Sequence, residues 1–325
     1  MKSEAQTINI VDMKQKVMNY YNLGGVKQVK FLGESDNVTF RIDTLEGKTY
    51  VLKIHKTSLS KIMIESEFLW LEELATERTI KVQRPVKNTL GEWTTTVVNA
   101  TTGEHAYWTL QDWLEGETLD RQPTEDELKK LAQLMRKLHK HAANWKTPQK
   151  FERLSYDSDN LVNSLQQLER LITLGLMTRE DFHVIDDTVK KIVVLLTTLE
   201  KQPETWGVIH ADLHESNYIF HAGEPYPIDF SSCGFGFYLY DIAETLLHLV
   251  PDNRKKFVRY YGQDHWLPDH HPKLLEAFLI WAIIGNFAFL SRDEAEHEGL
   301  SRAFPMLVEK YCKKFLKNDR FMLVE

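Results

Sequence analysis

The sequence predicts an α+β chain of two lobes, with a small β-rich N-terminal lobe and a larger, mainly helical C-terminal lobe. Three observations predict it. Short runs rich in β-branched and aromatic residues dominate the first 114 residues. Helical periodicity dominates from residue 123 onward. One island of short strands, between 207 and 230, interrupts the helices. The lobes are expected to divide as 1–114 and 115–325, close to the size prior of roughly 150 residues per domain.

The first lobe contains the strand-like runs VKQVKFLG (26–33), NVTFRID (37–43), KTYVLKI (48–54), WTTTVVN (93–99) and AYWTLQDWL (106–114). Turn signals separate them, LEGK at 45–48 and TTGE at 101–104. One helix interrupts the strands, from Ser60 to Thr76, with Ile64, Phe68, Leu71 and Leu74 on one face. The second lobe opens on Thr124 with Glu127 three residues later, a capping-box signature. Further helical patterns cover 159–175, 178–202, 238–250, 270–290 and 301–317. The island itself reads GVIH (207–210), YIF (218–220) and YPIDF (226–230).

Composition narrows the function classes. Hydrophobic residues make up 42% and charged residues 27%, as in ordinary globular proteins. The net charge is −7 with no basic run that could track a phosphate backbone, so nucleic acid is not an expected partner. Two cysteines, Cys233 and Cys312, fit a reducing cytoplasm rather than a disulfide framework. The N-terminus lacks the apolar core of a secretory signal. The longest apolar stretch, FLIWAIIGNFAFL (278–290), is short for a bilayer and contains Gly285 and Asn286, so a buried helix is expected and no membrane partner.

The chemistry concentrates in the island. Asp212 is followed by Asn217 five residues on and by Asp229 twelve further. Carboxylate and amide oxygens are hard donors suited to Mg²⁺. A phosphoryl-transfer site needs one carboxylate to orient the attacking hydroxyl and others to hold the cations on the phosphates. Asp212 fits the first role, and Asn217 and Asp229 the second. Zinc is the rival use of His210, His214 and His221, but HADLHESN has poor helix character for helical His spacing.

In the first lobe, the turn in FLGESDNVTFRI carries Gly33 and Asn37 and could bring backbone N–H groups to phosphates; an ordinary hairpin is the plainer alternative. Lys53 lies between Leu52 and Ile54 in an apolar strand, which is costly unless the charge is paired or snorkels out. Glu67, which shares a turn with the inward Phe68 and Leu71, is the expected partner. In the connector LQDWLEG (110–116), the Asp112 carbonyl and the Leu114 amide are candidates for an adenine edge.

The run VIHADLHESNYIF (208–220), followed by PIDFSSCGFGFYLYDIA (227–243), resembles the aminoglycoside phosphotransferase and choline kinase-like family, which has a protein-kinase-like fold. The resemblance spans roughly residues 25–290. It implies ATP and Mg²⁺ as cofactors, Asp212 as the catalytic residue, and Asn217 and Asp229 as metal ligands. It also implies Lys53 on the nucleotide phosphates, and Asp241 as a brace for the catalytic loop. LAQLMRKLHK (131–140) resembles the family's helix ending in Leu-His, here Leu138 and His139. Ala211 stands where glycine is frequent, and Phe237 where many members have an Asp.

Few residues separate Asp229 from the helix opening near Tyr238, leaving no room for the activation segment of a protein-substrate kinase. The expected acceptor is therefore a small hydroxylated, amine-containing molecule, such as an aminoglycoside or amino alcohol. Glu244, Asp293, Glu294 and Glu296 could meet an amine-bearing acceptor, with a solvated face as the plainer expectation. Tyr238, Tyr240, Trp266, Trp281 and Phe287 are expected mostly in the core. The alternative function is a non-catalytic nucleotide-binding scaffold.

Overall fold

The computed structural model describes residues 10–35, 37–55, 59–78, 80–98, 103, 105–262 and 271–322. The expected turn at 101–104, save Gly103, and Trp266 lie outside these residues. Contacts divide the chain into two compact units. The first takes 1–116 together with 146–153 and 228–231; the second takes 117–145, 154–227 and 232–325. A single boundary at 114/115 does not capture this, because 146–153 and 228–231 hydrogen-bond into the first unit.

The first unit is built on an antiparallel sheet of β1 (Val26–Glu34), β2 (Asn37–Thr44), β3 (Thr49–His55), β4 (Pro85–Val86), β5 (Thr94–Val98) and β6 (His105–Asp112). The order is β1-β2-β3-β6-β4, with β5 also on β6. Strand alternation decides what each face meets. Leu52 and Ile54 of β3 join Phe40, Ile42 and Leu110 in a core with Met13, Val17 and Tyr21. The last three come from helix α1 (Ile10–Tyr20) and its exit, which the sequence reading does not include. Lys53 alternates onto the opposite face, toward helix α2 (Lys61–Glu77). Ser60 caps α2 by accepting the Met63 N–H at 3.3 Å, and Ile64, Phe68, Leu71 and Leu74 are fully buried.

The second unit opens with α3 (Glu125–Asn144), whose capping box between Thr124 and Glu127 is formed in both directions. It continues with β7 (Leu154–Tyr156), α4 (Ser158–Thr173), α5 (Arg179–Leu196), β8 (Trp206–Ile209), β9 (Tyr218–His221), β10 (Glu224–Pro227) and β11 (Gly234–Phe237). Next come α6 (Tyr238–Leu247), α7 (Pro251–Gly262) and α8 (His271–Leu290). A helix over His297–Leu307 passes through a π-helical turn, Val308–Cys312, before Lys313–Lys317, so the pattern at 301–317 is not one uniform α-helix. β11 pairs parallel to β7 and antiparallel to β8, while β9 and β10 form a hairpin. The glycines of β11 admit these neighbours: a Cβ on Gly234 would lie 2.5 Å from the Leu154 carbonyl oxygen.

α8 spans 20 residues and carries a 19-residue segment, Pro272–Leu290, long and apolar enough to cross a bilayer by composition. Two thirds of its most apolar window is nonetheless buried, and α4 and α6 pack against the helix. It serves as the core helix of this unit.

Candidate active site

In the first unit a cation and three oxygen-bearing side chains converge. Lys53 Nζ donates to Asp229 Oδ1 at 2.9 Å and to Ser231 Oγ at 3.2 Å. Glu67 Oε1 lies 3.9 Å from the same ammonium, an ion pair without a hydrogen bond. Lys53 and Glu67 are both buried, so each meets the charge requirement of the other. Burial raises the Glu67 carboxyl, and the charges of Lys53 and Arg153 act against the rise.

Asp229 does not lie on a strand, as the run YPIDF suggests. β10 ends at Pro227, and Asp229 has φ 57°, in the left-handed region. The turn lets Ser231 bond back to Asp229 Oδ1, from Oγ at 2.7 Å and from N–H at 3.3 Å. Being surrounded by protein would raise the Asp229 carboxyl; the Lys53 charge and the Lys53 and Ser231 bonds outweigh this and hold it below the usual range. The side chain keeps 39% of its surface accessible, which limits the desolvation cost. All these bonds fall on Oδ1. Among the described residues none reaches Oδ2.

Asn37 and Arg153 complete this cluster. Asn37 Nδ2 donates to Ser231 Oγ at 2.9 Å, and its buried Oδ1 has no partner among the described residues. Arg153, buried, donates to the Met63 carbonyl at 3.0 Å and to the Ser231 carbonyl. It thereby ties the first turn of α2 to the Asp229 turn. The sequence reading does not include Arg153, because a lone arginine in a connection carries no periodic or motif signal. Ser231 follows Asp229 by two residues in DFSS, yet its role depends on the turn at Asp229.

Gly33 pairs with Thr39 beside a register shift in β1, and a Cβ there would meet nothing within 4 Å. Asp112 closes β6, with its N–H on the Arg84 carbonyl at 2.9 Å and its own carbonyl in a long 3.5 Å contact with Gln83 Nε2. The Leu114 N–H takes no bond among the described residues.

In the second unit, β8 delivers the loop 210–217. Asp241, fully buried in the first turn of α6, accepts the N–H of Ala211 at 2.7 Å and of His210 at 3.3 Å. His139 Nε2 meets Asp241 Oδ2 at 2.9 Å. Burial would raise the Asp241 carboxyl, and the His139 bond and charge lead the interactions that lower it instead. Thr245 Oγ donates to the Leu213 carbonyl at 2.7 Å, a further tie between α6 and the loop. Asn217 Nδ2 donates to Asp212 Oδ2 at 2.7 Å and to the Asp212 carbonyl at 2.9 Å. Asn217 Oδ1 accepts nothing among the described residues. The Asp212 side chain is 37% exposed.

Ala211 adopts φ 63°, the left-handed conformation that explains why glycine suits this position. Phe237 occupies the N-cap of α6 and offers no side-chain bond, so the Tyr238 N–H bonds the Thr205 carbonyl at 3.0 Å instead. The three histidines of the zinc alternative do not gather. His210 is buried, His221 is exposed at the end of β9, and His214 stacks on His248 at 4.6 Å, with Glu215 beside both.

Glu244 corrects the expectation of a solvated face. It is 5% exposed, accepting from Tyr240 OH at 2.9 Å and from Asn286 Nδ2 at 3.3 Å. One turn past Asp241, it lies on the buried side of α6. Asp293, Glu294 and Glu296 are exposed, as expected.

Known proteins give this chemistry its class: the protein is a small-molecule kinase that transfers phosphate from ATP to an alcohol. Residues 27–274 match the profile of the phosphotransferase enzyme family, and the chain belongs to that family. The amicoumacin kinase of Bacillus subtilis (strain 168) is 23% identical over 252 residues, covering 74% of this chain and 71% of the relative. A microcompartment-associated aminopropanol kinase superposes with a TM-score of 0.81 at 21% identity, covering 97% of this chain and 100% of that one. An amicoumacin kinase solved with AMP-PNP, Ca²⁺ and Ami gives 0.78 at 19% identity, covering 95% and 96%. These likenesses establish the α+β, protein-kinase-like fold.

Proposed function

We propose that this kinase acts on a small amine-bearing alcohol, with Mg²⁺ as its divalent cation and Asp212 as its catalytic residue. One observation carries the reading: Asp212 stands part-exposed on a loop whose backbone N–H groups are held by a buried carboxylate. One of its oxygens is fixed by the Asn217 amide. The carboxylate is thus oriented before any acceptor arrives and can accept the hydrogen bond, then the proton, of an attacking hydroxyl. Lys53 supplies a positive charge for the donor's phosphates. Asp229 Oδ2 in the first unit and Asn217 Oδ1 in the second are each hard oxygens that accept no bond among the described residues, the donor type that Mg²⁺ takes. When bound, the cation would offset charge on the transferring phosphoryl group. The Leu114 N–H and Asp112 carbonyl are proposed to receive the base, and Gly33 and Asn37 to border the phosphates. Two buried free cysteines are in keeping with a cytoplasmic setting.

The test is ADP release from MgATP over a panel of amino alcohols and aminoglycosides. At least one acceptor should stimulate release, and Asp212→Asn should lower turnover by about 10²–10⁴-fold with nucleotide affinity retained. Near-normal turnover of Asp212→Asn on a productive acceptor would remove the role given to this carboxylate.

A further inference from the structure

Four acidic side chains are buried among the described residues: Glu67, Asp241, Glu244 and Glu276. Three have a basic partner. Glu67 has Lys53, Asp241 has His139, and Glu276 has Arg320 at 3.6 Å together with the N–H groups of Phe321 and Met322. Glu244 has none. Among the described residues no Lys, Arg or His comes within ion-pair distance, and both of its bonds come from neutral groups, the Tyr240 hydroxyl and the Asn286 amide.

This arrangement is unfavourable as a piece of core. A buried carboxylate without a counter-ion is costly, and neutral donors only partly compensate. A second carboxylate, Asp212, adds repulsion. Burial first, then Asp212, push Glu244 up to about 8. A glutamine would fill the same space without the charge, its carbonyl oxygen accepting from one partner and its amide nitrogen donating to the Tyr240 oxygen. The groups around it border the 210–217 loop: Asp212, whose charge acts on Glu244, is part-exposed, Asn286 is half-buried, and Thr245, next to Glu244, bonds the Leu213 carbonyl. Tyr240 stacks on Tyr156 at 4.9 Å and meets the Trp281 edge at 4.8 Å, giving Glu244 an aromatic, weakly polar wall of the kind that favours an organic cation.

We propose that Glu244, held by Tyr240 and Asn286, is the seat for the ammonium group of the acceptor, so that the missing counter-ion is the substrate itself. The inference rests on the kinase reading above and sharpens it. The acceptor is an amino alcohol whose charged nitrogen is a short spacer away from the hydroxyl that Asp212 receives. Glu244 makes the enzyme select amines over amine-free alcohols of the same shape.

The direct probe is propylammonium, an amine with no hydroxyl, with 1-propanol as its neutral counterpart. Binding to the full chain is followed by saturation-transfer NMR. Wild type should bind propylammonium saturably and 1-propanol far more weakly. Glu244→Gln, which keeps the shape and removes the charge, should weaken the amine about tenfold or more, and Tyr240→Phe by a few-fold. Melting temperatures confirm that both variants are folded. The kinetic arm compares kcat/KM for amino alcohols with that for the matching diols, and the ratio should collapse in Glu244→Gln through the amine's KM. Equal propylammonium binding by wild type and Glu244→Gln, or no binding by either, overturns the proposal. If alcohols are phosphorylated but the amine preference survives Glu244→Gln, the seat is wrong and the kinase reading stands. If propylammonium binding depends on Glu244 but no alcohol is phosphorylated, the seat stands and the kinase reading falls.

Discussion

Single residues carry most of the strain and charge in this protein. Ala211 is held at φ 63° between two residues whose positions matter, His210 and Asp212. A non-glycine residue there costs roughly 1–2 kcal/mol, and glycine adds about 0.4–1 kcal/mol of unfolded-state entropy. Ala211→Gly should therefore raise stability by up to about 1 kcal/mol, read from urea unfolding. A loss of stability would show that the Ala211 methyl contributes more by packing than its backbone costs. Glu244 gives a pH signature of its own. Its carboxyl is raised from 4.5 to about 8, so the folded state binds its proton more tightly than the unfolded state does. That stability is fully present below 4.5 and is lost as the pH rises through about 8. Asp212, Asp241, Tyr240 and Asn286 are the groups that act on it, none of them cationic. The melting temperature of Glu244→Gln relative to wild type should rise across this window, and a flat difference would contradict the shift. Glu244 was hidden in the sequence because its neighbourhood is set by α8, more than forty positions away, while an acid in a helix ordinarily points to solvent.

At the scale of elements, the 210–217 loop and the Asp229 turn are each positioned by buried polar ties. Arg153 is the plainest case, bridging the Met63 and Ser231 carbonyls and opposing the rise of the buried Glu67 carboxyl. Arg153→Leu should cost about 2–4 kcal/mol, because it strands two carbonyls and removes a positive charge near Glu67. Nucleotide affinity should weaken with it, while Arg153→Lys recovers part of the stability and less of the affinity. Unchanged ATP binding in a folded Arg153→Leu variant would show that the strut does not position the Lys53–Asp229 pair. The long strands and amphipathic helices were readable, since Ile64, Phe68, Leu71 and Leu74 alone place a face of α2. β11 was not, because GFGF is only four residues long, half of them glycines of low strand propensity, and it pairs through those glycines, which let other strands approach. The strand expected through Asp229 stopped two residues early, where the backbone turns left-handed to bring Ser231 back onto the carboxylate.

For the whole molecule, the family match and the two units agree with a division into a β-rich and a helical part, and the motif around Asp212 was enough to place the chain in its class. What sequence reasoning could not reach was the return of 146–153 and 228–231 to the first unit, since such contacts have no local pattern. The central claim is that Asp212 directs an acceptor hydroxyl onto the γ-phosphate of ATP. The most direct measurement is phosphorus NMR of the product formed from an amino alcohol and MgATP by wild type and by Asp212→Asn. The account predicts a phosphate ester on the acceptor's oxygen with wild type, and almost none with Asp212→Asn although that variant still binds ATP. A phosphoramidate on nitrogen, ATP consumption without any phosphorylated acceptor, or an equal ester yield from Asp212→Asn would contradict it.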